Sequence, residues 1–269
     1  MDHRAAPNGG SVRVTPEEGW PQRVMEMART GLPYGRSSGT LGGMQATHAL
    51  LPGTQAPLPG TEAALIGLAA FAVVMIPFLW PLVDHFDTMA HEGAHAVVAS
   101  VMGFTVLGVT LDQNSNGVTR YLASGSGLRR LLVTFSGYLG PSGFGLCAAR
   151  LIETGHAVCV PWIATILLAL LLLLVRKSFG AVSVPAAIAL LAVVMRYAHD
   201  GPEGVIVYGM TWLLLLSGVR NAVAHGARAG DAGQLSTITH LPHRLWALLW
   251  IAGTLLAVVI GGKWLVLRS

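Results

Sequence analysis

His91, Glu92 and His95 are the residues of this chain best suited to chemistry. They form a His-Glu-x-x-His pattern inside Asp87-Thr88-Met89-Ala90-His91-Glu92-Gly93-Ala94-His95-Ala96-Val97-Val98-Ala99. On a helix, residues four apart project from one face, one turn above the other. The two imidazoles can therefore grip a single metal ion. Glu92 stands beside them, near enough to polarise a water on that metal without being a ligand. Two neutral imidazoles plus a carboxylate suit zinc, with a fourth position left for water. The plainer alternatives are a pair of core histidines, or a two-histidine haem site, beside an unrelated glutamate. Ionisable groups inside apolar sequence are expensive, which asks for a functional reason.

Zinc then needs a third protein ligand from another helix. Asp231 is the first candidate, in Gly230-Asp231-Ala232-Gly233-Gln234-Leu235 just before the last apolar run. Asp200, in Asp200-Gly201, is the second. The ordinary alternatives are a helix-capping or solvated Asp231 and a loop-turn Asp200, and the choice stays open at this level.

The elements that must position these groups belong to a membrane. Of 269 residues, 53% are hydrophobic and 11% charged, against about 25% charged in soluble domains. Several runs approach the ~18 apolar residues that span a bilayer. The expected fold is an all-α polytopic membrane protein of about six to seven membrane helices, with a small β-hairpin after the motif helix. The net charge of +4 does not point to nucleic acid, because most Lys and Arg flank apolar segments and set topology. Cys147 and Cys159 are expected as plain buried thiols, too few for a structural zinc site.

In chain order, residues 1–60 are rich in Gly, Pro, Ser and Thr and are expected as a disordered tail, with one short helix from Thr15 to Met27. Residues 61–269 form the rest. Apolar spans are expected at 62–83, 128–149, 157–175, 179–197, 204–219 and 245–262. Pro77 and Pro81 should kink or end the first, and Asp84, His85 and Asp87 mark a polar break. The motif helix then runs from about Phe86 to Met102 and stops at Gly103. Residues 104–111 are β-rich, Asn116-Gly117 signals a tight turn, and Val118 to Tyr121 returns as a second strand. A plain connecting loop is the alternative. Small residues from Ser136 to Gly143 permit close helix approach. The bias of Lys and Arg places Asp231 on the cytoplasmic side.

His91-Glu92-Gly93-Ala94-His95, the β-rich segment, and Gly137-Tyr138-Leu139-Gly140-Pro141 together resemble the site-2-protease-like intramembrane zinc metallopeptidases. Ser115-Asn116-Gly117-Val118-Thr119, Arg176-Lys177-Ser178-Phe179-Gly180, and Asp231 to Leu235 with Thr239 and Trp246 resemble the compact bacterial branch. The resemblance covers about residues 62–265. It implies that residues 61–269 are an intramembrane metalloprotease domain. It also implies that His91, His95 and Asp231 bind Zn2+ and that Glu92 is the general base. The implied activity is hydrolysis of a peptide bond in or near the transmembrane segment of a membrane-protein substrate, as in regulated intramembrane proteolysis. The implied location is multi-pass in the lipid bilayer of a bacterial plasma membrane. The hairpin could pair with the extended substrate as an added strand. Two positions depart from the pattern: the family aspartate sits in Leu-Asp-Gly where this chain has Gly230-Asp231-Ala232, and Arg176-Lys177 stands where the pattern has Arg-Asn.

Two other functions compete. Ser124-Gly125-Ser126-Gly127 could suggest a serine-type protease, but it lacks the Gly-x-Ser-Gly order and a partner histidine. A catalytically inactive scaffold or a transporter of the same fold is the non-enzymatic alternative. Transporters often carry an internal repeat, and none is evident. Oligomeric state is not legible.

Overall fold

The structure, a computed structural model, describes residues 58–122, 127–176, 178–197, 203–228 and 230–267. Asp200, Ser124 and Ser126, the short helix expected at 15–27, and the tail up to residue 57 lie outside the described residues.

The chain opens with helix α1 (Gly60–Met75) and helix α2 (Trp80–Val101). Pro77 separates them: it has no N–H to donate and disfavours helix at the residue before it, and Ile76 is extended. Pro81 is tolerated because it falls in the first turn of α2. The two helices meet at 99°. The motif helix thus starts at Trp80, six residues before the expected Phe86, and Asp84, His85 and Asp87 lie within it. The break between the helices falls instead at Ile76-Pro77-Phe78-Leu79, an apolar stretch interrupted by proline.

Helix α6 (Glu203–His225) makes this corner possible. The Asn221 amide donates to Asp84 Oδ1 at 3.1 Å and to Asp87 Oδ2. A buried carboxylate is tolerable when hydrogen-bonded in this way. The neighbouring Arg220 donates to the Val74 carbonyl, and its guanidinium lies 4.0 Å from the centre of the Trp80 ring. That carbonyl is one of those left without a helical partner where α1 ends.

After α2, Gly103 turns the chain at φ +79°, and an antiparallel hairpin follows: β1 (Thr105–Leu111) and β2 (Gly117–Leu122). The hairpin was expected; its turn differs. The connection is built on Asp112, whose carboxylate accepts from the Asn114 and Asn116 N–H groups at 2.8 and 3.0 Å. Ser115 takes the left-handed conformation, at φ 55°. Gly117 opens β2 and is needed for a different reason, given below.

Helices α3 (Gly127–Glu153), α4 (Cys159–Leu174), α5 (Ser178–Tyr197), the short α7 (Asp231–Thr239) and α8 (His243–Val266) complete the chain. Helix α3 packs against α2, α6 and α8. Its small residues permit this: a methyl group on Gly140 would come within 2.5 Å of Ala94 Cβ and 3.0 Å of the Ala90 carbonyl.

Among the described residues, four helices are long and apolar enough to cross a membrane: α3, α5, α6 and α8. The bent pair α1 and α2 makes a fifth if taken as one span. This count is below the expected six to seven. The apolar sequence before residue 102 is broken at Pro77 and carries three acidic residues in α2, and α4 has only 16 residues. Large apolar side chains, among them Phe78, Val101, Leu173 and Val182, cover the outside. Cys147 and Cys159 are free and exposed rather than buried; in an inside-out solvent regime, apolar sequence does not imply a protein interior.

Candidate metal centre

The four-residue spacing on α2 sets the His91 and His95 rings edge to face, with centroids 4.8 Å apart and Nε2 atoms 3.1 Å apart. Asp231, the first residue of α7, brings Oδ2 to 3.0 Å from His91 Nε2 and 3.3 Å from His95 Nε2. Ala232 and Leu235, three apart on α7, pack with Ala222, Trp246 and Trp250. That burial turns the adjacent carboxylate toward α2. Asp200 lies outside the described residues.

These spacings fit a metal ion. Ligands about 2.0–2.1 Å from a tetrahedral zinc lie roughly 3.3 Å from one another. The tautomer of His95 supports the same arrangement. Its Nδ1–H donates to the Val133 carbonyl at 2.7 Å, which leaves a lone pair on Nε2. A bare Nε2 and a carboxylate oxygen then face each other at 3.3 Å, an approach that calls for a cation or a proton between them. A divalent ion between them would hold the Asp231 carboxylate ionised.

The rim is shaped for this role. A methyl group on Gly137 would fall onto the His95 Nε2 and within 2.6 Å of the His91 Nε2. Only a glycine leaves that space open. Tyr138, the next residue, lies against the His91 ring edge to face, with centroids 4.8 Å apart, and is backed by Trp250 at 4.6 Å. The Trp250 indole N–H donates to the Phe135 carbonyl at 2.8 Å.

Glu92 is buried and points away from the bundle toward the hairpin. Thr119 on β2 donates its hydroxyl to Glu92 Oε2 at 2.6 Å, with the Glu92 carbonyl 3.1 Å from the same oxygen. A methyl group on Gly117 would lie on the Glu92 side chain, 2.5 Å from Oε1. The glycine is therefore required for clearance from Glu92 rather than for a turn. Two further contacts seat the hairpin: Thr88 donates to the Ser115 carbonyl at 2.9 Å, and Ser115 Oγ lies 3.1 Å from His85 Nδ1. Residues 85, 88 and 92 form one stripe of α2.

Glu92, His95, Thr119, Thr134, Asp231 and Gln234 line a cavity of about 160 Å³. One water needs about 10–15 Å³ on this measure, so there is room for water beside both the ligand atoms and the glutamate. The sequence pattern brought out His91, Glu92, His95 and Asp231; the structure brings Glu92, His95 and Asp231 to this cavity and sets His91 against His95 and Asp231. Gly117 and Thr119 stood out only as part of the stretch Ser115 to Thr119, with no role at the centre, and Val133 did not stand out at all. Thr119 had a weak signal: strand alternation puts it on the same face as Gly117 and Tyr121. Val133 had none, because it acts through a backbone carbonyl.

The model of the Peptidase M50B-like family matches residues 64–261. No curated protein and no solved structure matches the chain. The matched stretch holds α2, the hairpin and α7, and hence every residue of the cavity described above. With its apolar helices, the chain belongs to the Peptidase M50B-like, site-2-protease-like family and is an integral membrane protein.

Proposed function

We propose that the protein is a zinc-dependent intramembrane endopeptidase that hydrolyses a peptide bond in or near the transmembrane segment of a membrane-protein substrate, in a bacterial plasma membrane. One observation carries this: three ligand atoms lie 3.0–3.3 Å apart, and two of their residues, His95 and Asp231, share a cavity with a buried glutamate that is not among them.

His91, His95 and Asp231 would hold the ion. Bound there, zinc supplies Lewis acidity toward water and toward the scissile carbonyl. Glu92 takes a proton from the attacking water and later delivers it to the leaving amine nitrogen. Tyr138 of α3, backed by Trp250 of α8, covers the His91 ring on one side. A transmembrane helix has its peptide bonds locked in hydrogen bonds, so the segment to be cut must first unwind. The hairpin offers an extended template on which it can be held.

The test is Glu92→Gln in the full-length protein, assayed on a candidate single-span membrane protein. Turnover should fall by about 10²–10⁴-fold while zinc measured by emission spectroscopy stays at the wild-type level. Normal turnover in the variant removes the protease assignment.

A further inference from the structure

We infer that Thr119 is a positioning residue that couples substrate docking on the hairpin to the orientation of Glu92. The inference rests on the proposed peptidase activity and adds a residue to it.

The backbone of Thr119 can be oriented from the pairing around it. The Arg176 N–H donates to the Val109 carbonyl at 2.9 Å, and Val109 bridges Val175 in parallel. Val109 therefore turns its backbone groups away from β2. In an antiparallel ladder, directly opposed residues either bond to each other or both face outward. Val109 is paired with Thr119, so Thr119 faces outward on the other side, at the outer edge of β2. The turn agrees: the Asp112 N–H donates to the Asn116 carbonyl at 3.0 Å. Bonded pairs then recur every second residue, at Thr110 with Val118, and Val109 with Thr119 falls between them.

Among the described residues, the sheet has two strands, and no strand pairs with that outer edge of β2. The outer edge of β1 is occupied by the stretch around Val175 and Arg176. An extended peptide adding to the ribbon therefore docks along β2 and meets the N–H and C=O of Thr119. Side chains stand roughly perpendicular to these groups, and that of Thr119 reaches Glu92 at 2.6 Å. One residue thus holds the backbone of the peptide to be cut and the carboxylate that acts on its attacking water. The charge-assisted bond from a hydroxyl to a carboxylate is short and directional, which suits it to fixing one Glu92 rotamer.

The experiment compares Thr119→Val and Thr119→Ser in the full-length, zinc-loaded protein in lipid nanodiscs. The probe is a synthetic peptide with a single apolar helix of about 20 residues, carrying a fluorophore and a quencher. Valine keeps the β-branched shape and the backbone groups but loses the hydroxyl. The expected result is a kcat loss of about 10–100-fold in the valine variant, with KM and zinc content unchanged and serine restoring kcat. A second measurement does not depend on turnover. In protein labelled with ¹³C-glutamate, the infrared carboxylate band that Glu92→Gln removes should shift in the valine variant and not in the serine variant. Wild-type kcat with an unmoved band in the valine variant overturns the inference. So does a joint change in KM and kcat that serine fails to restore, since that marks general support of the hairpin. If the wild-type protein leaves the probe intact but the band shifts as expected, positioning of Glu92 by Thr119 stands and the peptidase assignment is what fails. If neither cleavage nor a shift occurs, both fail.

Discussion

Gly137 lies directly against His95: any side chain on its Cα would occupy the space in front of the His95 and His91 Nε2 atoms. Gly117 stands in the same relation to Glu92. The two glycines clear space for the two halves of the centre, and they should fail differently. Gly137→Ala is expected to strip zinc and to lower turnover by about 100-fold, the scale of a 1 Å misplacement. Gly117→Ala is expected to lower turnover comparably while zinc stays bound. Metal analysis of both purified variants beside a turnover assay checks this. Equal zinc in the two would contradict the division of roles.

The third ligand can be tested by comparison. Asp231→Ala should lower zinc affinity by at least about 10-fold, because it removes the oxygen 3.0 and 3.3 Å from the two ring nitrogens. Asp200→Ala should leave zinc at the wild-type level. Competition with a chromogenic chelator measures both, and depletion in Asp200→Ala alone would reverse the assignment.

Asn221 donates to both Asp84 and Asp87. Asn221→Leu fills similar volume but leaves the two carboxylates without that donor. The expected cost is about 1.5–3 kcal/mol, the range for hydrogen bonds to charged groups. Thermal or denaturant unfolding in detergent reads it directly. A variant as stable as the wild type would show that the amide contributes nothing to holding α2.

Much of the centre is legible in the sequence because its spacing is local. Two histidines four apart need only a helix to converge, and Asp231 is marked by its place before the last apolar run. The hairpin is legible from β-rich residues around a turn signal. The start of α2 is not. Asp84 and Asp87 look like a break, and their burial depends on an amide supplied by residue 221, more than 130 positions away. The number of helices long enough to span, among the described residues, is lower than hydropathy suggests for a related reason: hydropathy does not show that the chain turns sharply at Pro77, nor that α4 stops at Leu174. Thr119 is legible only as the end of the stretch Ser115 to Thr119, because a threonine in a strand has no chemistry of its own; its bond to Glu92 exists only once the strand is folded back onto α2.

Arg220 and Asn221 are consecutive on α6, yet they serve opposite sides of one corner, a carbonyl at the end of α1 and two acids at the start of α2. The pitch of the ligand-bearing helix is therefore cast by its neighbour. A rotation of α6 by a single residue, about 100°, would swing both side chains off their targets. One turn of α6 thus braces two helices at once, the second of which carries both imidazoles.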